Sequence, residues 1–99
     1  MLRLPERLTL DDAPAALAAL TAALPGTAGV ATIDASGLQR FDSAALAVLL
    51  ECRRLAQAAG RSFAVHGAPP KLAELARLYG LDALLPLVVP AVVDSSGDR

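Results

Sequence analysis

Apolar positions along the chain fall into alternating short runs and long periodic stretches. Leu2-Arg3-Leu4 alternates as a short strand does. The stretch LTLDDAPAALAALTAALPG, from Leu8, predicts a helix. Thr9, Asp11 or Asp12 can cap it, Pro14 is tolerated only in its first turn, and Pro25-Gly26 ends it. VATIDA, Val30 to Ala35, is apolar almost throughout until Asp34, as expected of an inner strand buried on both faces. SGLQRF then reads as a loop. A second helix is expected from about Ser43 to Ala59, with Gly60 where a left-handed residue closes a helix. SFAVHG, Ser62 to Gly67, is the next strand. APPKLAELARLYGL is a third helix, with Pro70 in its first position and Gly80 at its end. ALLPLVVPAVV has strand-like composition, but its prolines confine it to an edge or a loop.

Strand and helix thus alternate three times, which implies an α/β domain with a mainly parallel central sheet and helices packed on it. VATIDA and SFAVHG are expected as neighbouring inner strands. Residues 1–93 form one domain, and DSSGDR, 94–99, reads as a polar, disordered tail. The pattern shows no repeat and no linker.

The helix after Asp42 carries two kinds of apolar residue. At about 100° per residue, Ala45, Val48, Leu49, Cys52, Leu55, Ala56 and Ala59 form one stripe, sufficient to hold the helix on a sheet. Cys52 within it behaves as a small buried hydrophobe. Leu46 and Leu50 point about 100–140° away, on the side shared by Ser43, Ala47, Arg53, Arg54 and Gln57. They form an exposed contact patch, or a neighbouring helix covers them, or they are scattered surface apolars that need no explanation.

Composition narrows the function. Ninety-nine residues suit one domain, and a chain 55% hydrophobic but only 3% aromatic builds its core from Leu, Val and Ala. Nine basic residues against ten acidic ones give a net charge of −1, with no basic patch to suggest nucleic-acid binding. The single Cys52 forms no intrachain disulfide, and one Cys with one His does not supply a zinc site. The apolar segment from Ala13 to Gly26 follows acidic Glu6, Asp11 and Asp12, unlike a secretory leader, and is shorter than the ~20 residues of a spanning helix. A cytoplasmic protein is expected.

Few side chains offer chemistry. Ser43 can act as a helix cap, a phosphate acceptor or a contact residue; as a nucleophile it lacks a base. His66, the only histidine, belongs at a strand end. Asp34 and Asp42 can cap loops or form a carboxylate pair. Neither GxxxxGK[ST] nor GxGxxG occurs, so no motif supports a nucleotide cofactor.

IDASGLQRFDSAALAVLLECRRLAQAAGRSFAVHG, followed by PPKLAELARLYGLDALLP, resembles the STAS domain, the fold of anti-anti-sigma factors. In that family a strand ending in D-x-S leads through a short loop to D-[ST]-x-G-L. Here the pieces are Asp34, Ser36 and then Asp42-Ser43-Ala44-Ala45-Leu46, within a match that runs from Val30 to Pro86. Anti-anti-sigma factors usually carry D-S-S-G-L or D-S-T-G-L, and the second hydroxyl accepts phosphate. Ala44 stands at that position. Ser43 instead matches the hydroxyl of D-[ST]-A-G-L in MlaB-type proteins, the STAS subunits of the Mla phospholipid ABC transporter, and LARLYGLDALLP is similar to a segment near their end. Three features depart from the family's pattern: Ala45 replaces the usual Gly, no C-terminal helix is apparent, and the N-terminal strand region looks truncated, since only LRL precedes PERLTL, so that either the sheet is one strand short or the start lies upstream. The resemblance implies a binding subunit rather than an enzyme, without metal or cofactor. It would dock on the transporter's cytoplasmic ATPase (MlaF-like), in a complex with permease and substrate-binding subunits, peripheral to the inner membrane and without inserting into it. Asp42 and Ser43 would lie at that contact, with Leu46, Ala47, Leu50 and Arg54 extending the face. The alternative is an anti-anti-sigma-type switch phosphorylated on Ser43.

Overall fold

The computed structural model describes residues 2–24, 30–81, 83–85 and 87–88. Along the chain lie β1 (Leu2–Arg3), β2 (Arg7–Leu8), α1 (Ala13–Ala23), β3 (Ala31–Asp34), β4 (Arg40–Phe41), α2 (Ser43–Ala58), β5 (Phe63–His66), α3 (Pro70–Leu78) and β6 (Leu87–Val88). A four-stranded sheet has the order β1-β3-β5-β6, and every pairing in it is parallel. VATIDA and SFAVHG are therefore the two inner strands, side by side, as the pattern implies. Proline-flanked β6 takes an edge.

Burial on the sheet is one-sided. The row Leu2, Ile33, Val65 shares one face, and Ala31, Ile33 and Val65 are fully buried there. The next row, Arg3, Asp34, His66, shares the other face, and those side chains are half-buried or exposed. The expectation that VATIDA is buried on both faces is thus corrected. Thr32 and Asp34 alternate with Ala31 and Ile33, which is the signature of a strand with one solvated face.

Local signals account for the helix ends. Gly60 and Gly80 both sit at positive φ, 73° and 71°. The Arg61 and Leu81 amides then turn back to the carbonyls of Ala56 and Ala76, at 2.9 and 2.8 Å, closing α2 and α3. Pro14 and Pro70 both lie in first turns, where a missing N–H costs nothing. Pro25-Gly26, expected to end α1, lie outside the described residues, as do residues 89–93 of the last apolar run and the 94–99 tail.

SGLQRF is not wholly a loop. Arg40–Phe41 pairs in parallel with Arg7–Leu8, forming a separate two-stranded sheet, and the Gln39 and Arg40 amides donate to the Glu6 carbonyl at 2.7 and 3.0 Å. This pairing sets up the functional surface. It brings the residues that follow β2 beside those that follow β4 and open α2.

Candidate interaction surface at the start of the second helix

Asp42, not Ser43, caps α2. Its backbone is extended, and its carboxylate accepts from the Ala44 amide at 2.8 Å. The other carboxylate oxygen accepts from the Leu10 amide at 3.2 Å. One side chain thus joins the α2 N-terminus to the turn before α1. Ser43 is the first helical residue; it is exposed, and its hydroxyl has no protein partner among the described residues. Ala44, at the position where the second hydroxyl of the motif would stand, is only 9% exposed.

The turn from Thr9 to Asp12 is tightly held. The Asp12 and Ala13 amides donate to the Thr9 carbonyl at 2.9 and 3.0 Å. The Asp12 carboxylate accepts from the Thr9 amide and hydroxyl and from a forked Arg7 guanidinium, at 2.8–3.0 Å. These bonds, the Arg7 pair foremost, hold the Asp12 carboxyl well below the usual carboxylate range. Asp12 occupies the N-cap position of α1, but its side chain is turned to this clasp and does not cap. Leu10 at the tip is 73% exposed.

The expected patch on α2 needs correction. Leu46 is only 2% exposed and belongs to the core, and Leu50 is half-buried against it. The wheel assumed that one stripe meets one neighbour, whereas α2 contacts both α1 and α3 as well as the sheet. Residues on the α1 side include Ala47, Val48 and Leu55. Leu46 lies about 160–180° from Val48 and Leu55 on the wheel, so it packs on the opposite flank. Conversely, Ala59 of the expected stripe is exposed and Leu55 is half-buried, while Cys52 is fully buried, with its thiol pushed up to about 11 chiefly by that burial.

Asp42, Ser43, Ala47 and Arg54 remain exposed. Arg54 is not a free cation, because its guanidinium forks onto Glu51 one turn earlier, through Nε at 2.9 Å and a second bond from Nη2. Between α1 and α2 an apolar groove of about 320 Å³ is lined by Ala13, Pro14, Leu17, Ala47 and Val48. A larger cleft of about 580 Å³ lies elsewhere, between the N-terminal segment and residues such as Ala15, Ala19 and Leu20, and no residue of α2 lines it.

The remaining polar candidates act in loops. The Asp34 carboxylate accepts from the Ser36 amide at 2.9 Å and faces Arg3 at 3.6 Å. The Ser36 hydrogen bonds and, less strongly, Arg3 hold its carboxyl below the ordinary range. Asp34 and Asp42 therefore serve separate loops. His66 closes β5, and its carbonyl accepts from the Ala35 amide at 2.8 Å. Gly67 follows at φ 70°, and a Cβ there would stand 2.9 Å from the Ser36 Cβ, so this crossing of two loops requires glycine. Among the described residues no cluster of His, Cys, Asp or Glu is placed to hold a metal, and no helix is long and apolar enough to cross a membrane.

Among the described residues, an open parallel sheet with three helices, and an Asp-capped helix opening beside an exposed serine, make an α/β domain with a candidate contact surface at the start of α2. The sequence pattern of the family described as "Mlab, STAS domain" matches residues 1–89, so the chain belongs to the STAS-domain family. Its fold is similar to that of an anti-sigma-factor antagonist (STAS) domain protein from Planctomyces limnophilus. That likeness has a TM-score of 0.71 and 21% identity, over 88% of this chain and 79% of the other. No curated protein sequence matches the chain.

Proposed function

We propose that this STAS domain is a non-enzymatic subunit of an Mla-type ABC transporter. It would bind and support the cytoplasmic ATPase that drives phospholipid movement between the inner and outer membranes of a Gram-negative bacterium. The observation that carries this reading is Ala44. The position of the usual phosphate acceptor has no hydroxyl, and its amide is committed to the Asp42 cap. A switch that cycles through phosphorylation there is chemically impossible, whereas a docking surface needs only the exposed Asp42, Ser43 and Ala47. The family description, which names Mlab, supports the same direction. The chain would then be held at the inner membrane through its partners.

The second reading, a regulatory switch phosphorylated on Ser43, draws support from the exposed and unpartnered Ser43 hydroxyl. One experiment separates the two. The purified chain is mixed with the ATPase subunit of the source organism's phospholipid transporter, and co-elution and ATP hydrolysis are measured. In parallel the chain is incubated with ATP and the organism's anti-sigma-type kinases, and its intact mass is read. The transporter reading expects a stable complex and no phosphoserine. Stoichiometric phosphate on Ser43 without ATPase binding rejects it.

A further inference from the structure

We infer that Leu10 is the apolar anchor of the docking surface, inserting into the ATPase subunit, with a basic group of that subunit facing Asp11 and Asp42. This inference rests on the transporter reading and goes beyond it, because the recognisable motif ends at the helix and contains no part of the β2–α1 turn.

Leu10 is 73% exposed on a turn that is not floppy. Two backbone bonds to the Thr9 carbonyl and the Asp12 clasp to Thr9 and Arg7 fix its base, and its own amide is bonded to Asp42. A large apolar side chain held rigid in water gains little from the fold, but it loses little entropy on binding. Interface anchors have this character. The Leu10–Asp42 bond also fixes its place beside Ser43. Between the opening turns of α1 and α2, an apolar groove is lined by Ala13, Pro14, Leu17 and Ala47. The charge of the rim specifies the partner. Asp11 and Asp42 are exposed, and neither forms an ion pair among the described residues. A partner that covers Leu10 must bring these carboxylates close to its own surface, where a basic group is favoured and an acidic one is repelled.

The test uses the full chain and the same ATPase subunit, with affinity measured by calorimetry at low and high salt. Leu10→Ser should weaken binding by about 10- to 100-fold, the equivalent of losing one buried leucine. Its thermal midpoint should be unchanged, because the side chain it removes is exposed. Asp11→Lys should also weaken binding and should reduce its dependence on salt. If both variants bind as the parent does, the anchor is refuted while the transporter reading stands. If the parent chain itself fails to bind the ATPase, both fall. If Leu10→Ser instead abolishes self-association of the chain, the occupant of the surface is a second copy, and the inference is overturned.

Discussion

Truncating Leu46 separates two descriptions of α2. If Leu46 were an exposed contact residue, Leu46→Ala would leave the fold unaffected and weaken only partner binding. Its 2% exposure says otherwise. The change removes three carbons, about 2.4 kcal/mol at roughly 0.8 kcal/mol per buried methylene. A residual cavity adds to that, and measured Leu→Ala costs run from about 2 to 5 kcal/mol. Leu46 lies one turn into the helix, near the Asp42 cap, where the chain can collapse partly. A cost of about 3 kcal/mol is expected. For a domain of this size each kcal/mol moves the midpoint by about 4–8 °C, so the melting temperature should fall by about 12–24 °C. The loss is a large part of the ~5–15 kcal/mol that holds a small domain. Urea unfolding of the parent, Leu46→Ala and Leu46→Met gives the assay. The methionine variant should cost less than about 1.5 kcal/mol, since it keeps the volume. An alanine variant within ~0.5 kcal/mol of the parent, with an unchanged denaturant slope, would refute the two-flank packing of α2.

Three further predictions follow from the site and its loops. Asp42→Ala should cost about 0.5–2 kcal/mol through loss of the cap, whereas Ser43→Ala should stay within about 0.5 kcal/mol; equal losses in thermal unfolding would mean that the cap is wrongly assigned. Gly67→Ala should destabilise more than Gly60→Ala: both sit at positive φ, but only Gly67 has a neighbour in the way, at 2.9 Å, and the reverse order would contradict the loop crossing. Asp12 and Asp34 have carboxyl pKa values below their unfolded ones, so their contribution is present above the ordinary carboxylate range and is lost as pH falls from about 4; the melting temperature should drop on acidification, less so in Asp12→Asn, and an identical pH profile for that variant would exclude the clasp.

Much of this architecture was legible in the sequence because its signals are local. Gly60, Gly80, Pro14 and Pro70 punctuate helices by backbone sterics alone, and each stands where the pattern puts it. The apolar weight of VATIDA and FAVH marked the two inner strands. The β2–β4 pair was not legible, because strands of two residues carry no period; they exist through tertiary pairing, as Arg7–Leu8 meets Arg40–Phe41. Leu46 was misplaced for a related reason. A helical wheel tells which residues share a side, but not how many sides have neighbours. The exposure of Leu10 had no sequence signal either. An apolar residue between Thr9 and Asp11 looks like the start of a helix stripe until the Asp12 clasp turns it outward.

The same geometry bears on what Ser43 can do. A serine in the first turn of a helix is normally well placed for phosphate, since free amides and the helix dipole both favour an anion. Here the cap carboxylate already occupies that position, accepting from the Ala44 and Leu10 amides. A phosphate on Ser43 would have to compete for those donors and would stand beside Asp42, a like charge on the adjacent residue. It would also project about 100° around the helix from the position held by Ala44, so it would not face where the family's usual acceptor faces. A neutral hydroxyl has neither difficulty. It can donate or accept across an interface while Asp42 keeps the helix closed and Leu10 in place. The arrangement therefore favours an uncharged side chain at position 43. Ser43→Asp tests the competition directly: a carboxylate beside the Asp42 cap should leave the variant less stable than Ser43→Ala in thermal unfolding. If the aspartate variant is as stable as the parent, charge at this position is tolerated, and the argument against a phosphorylated state loses its force.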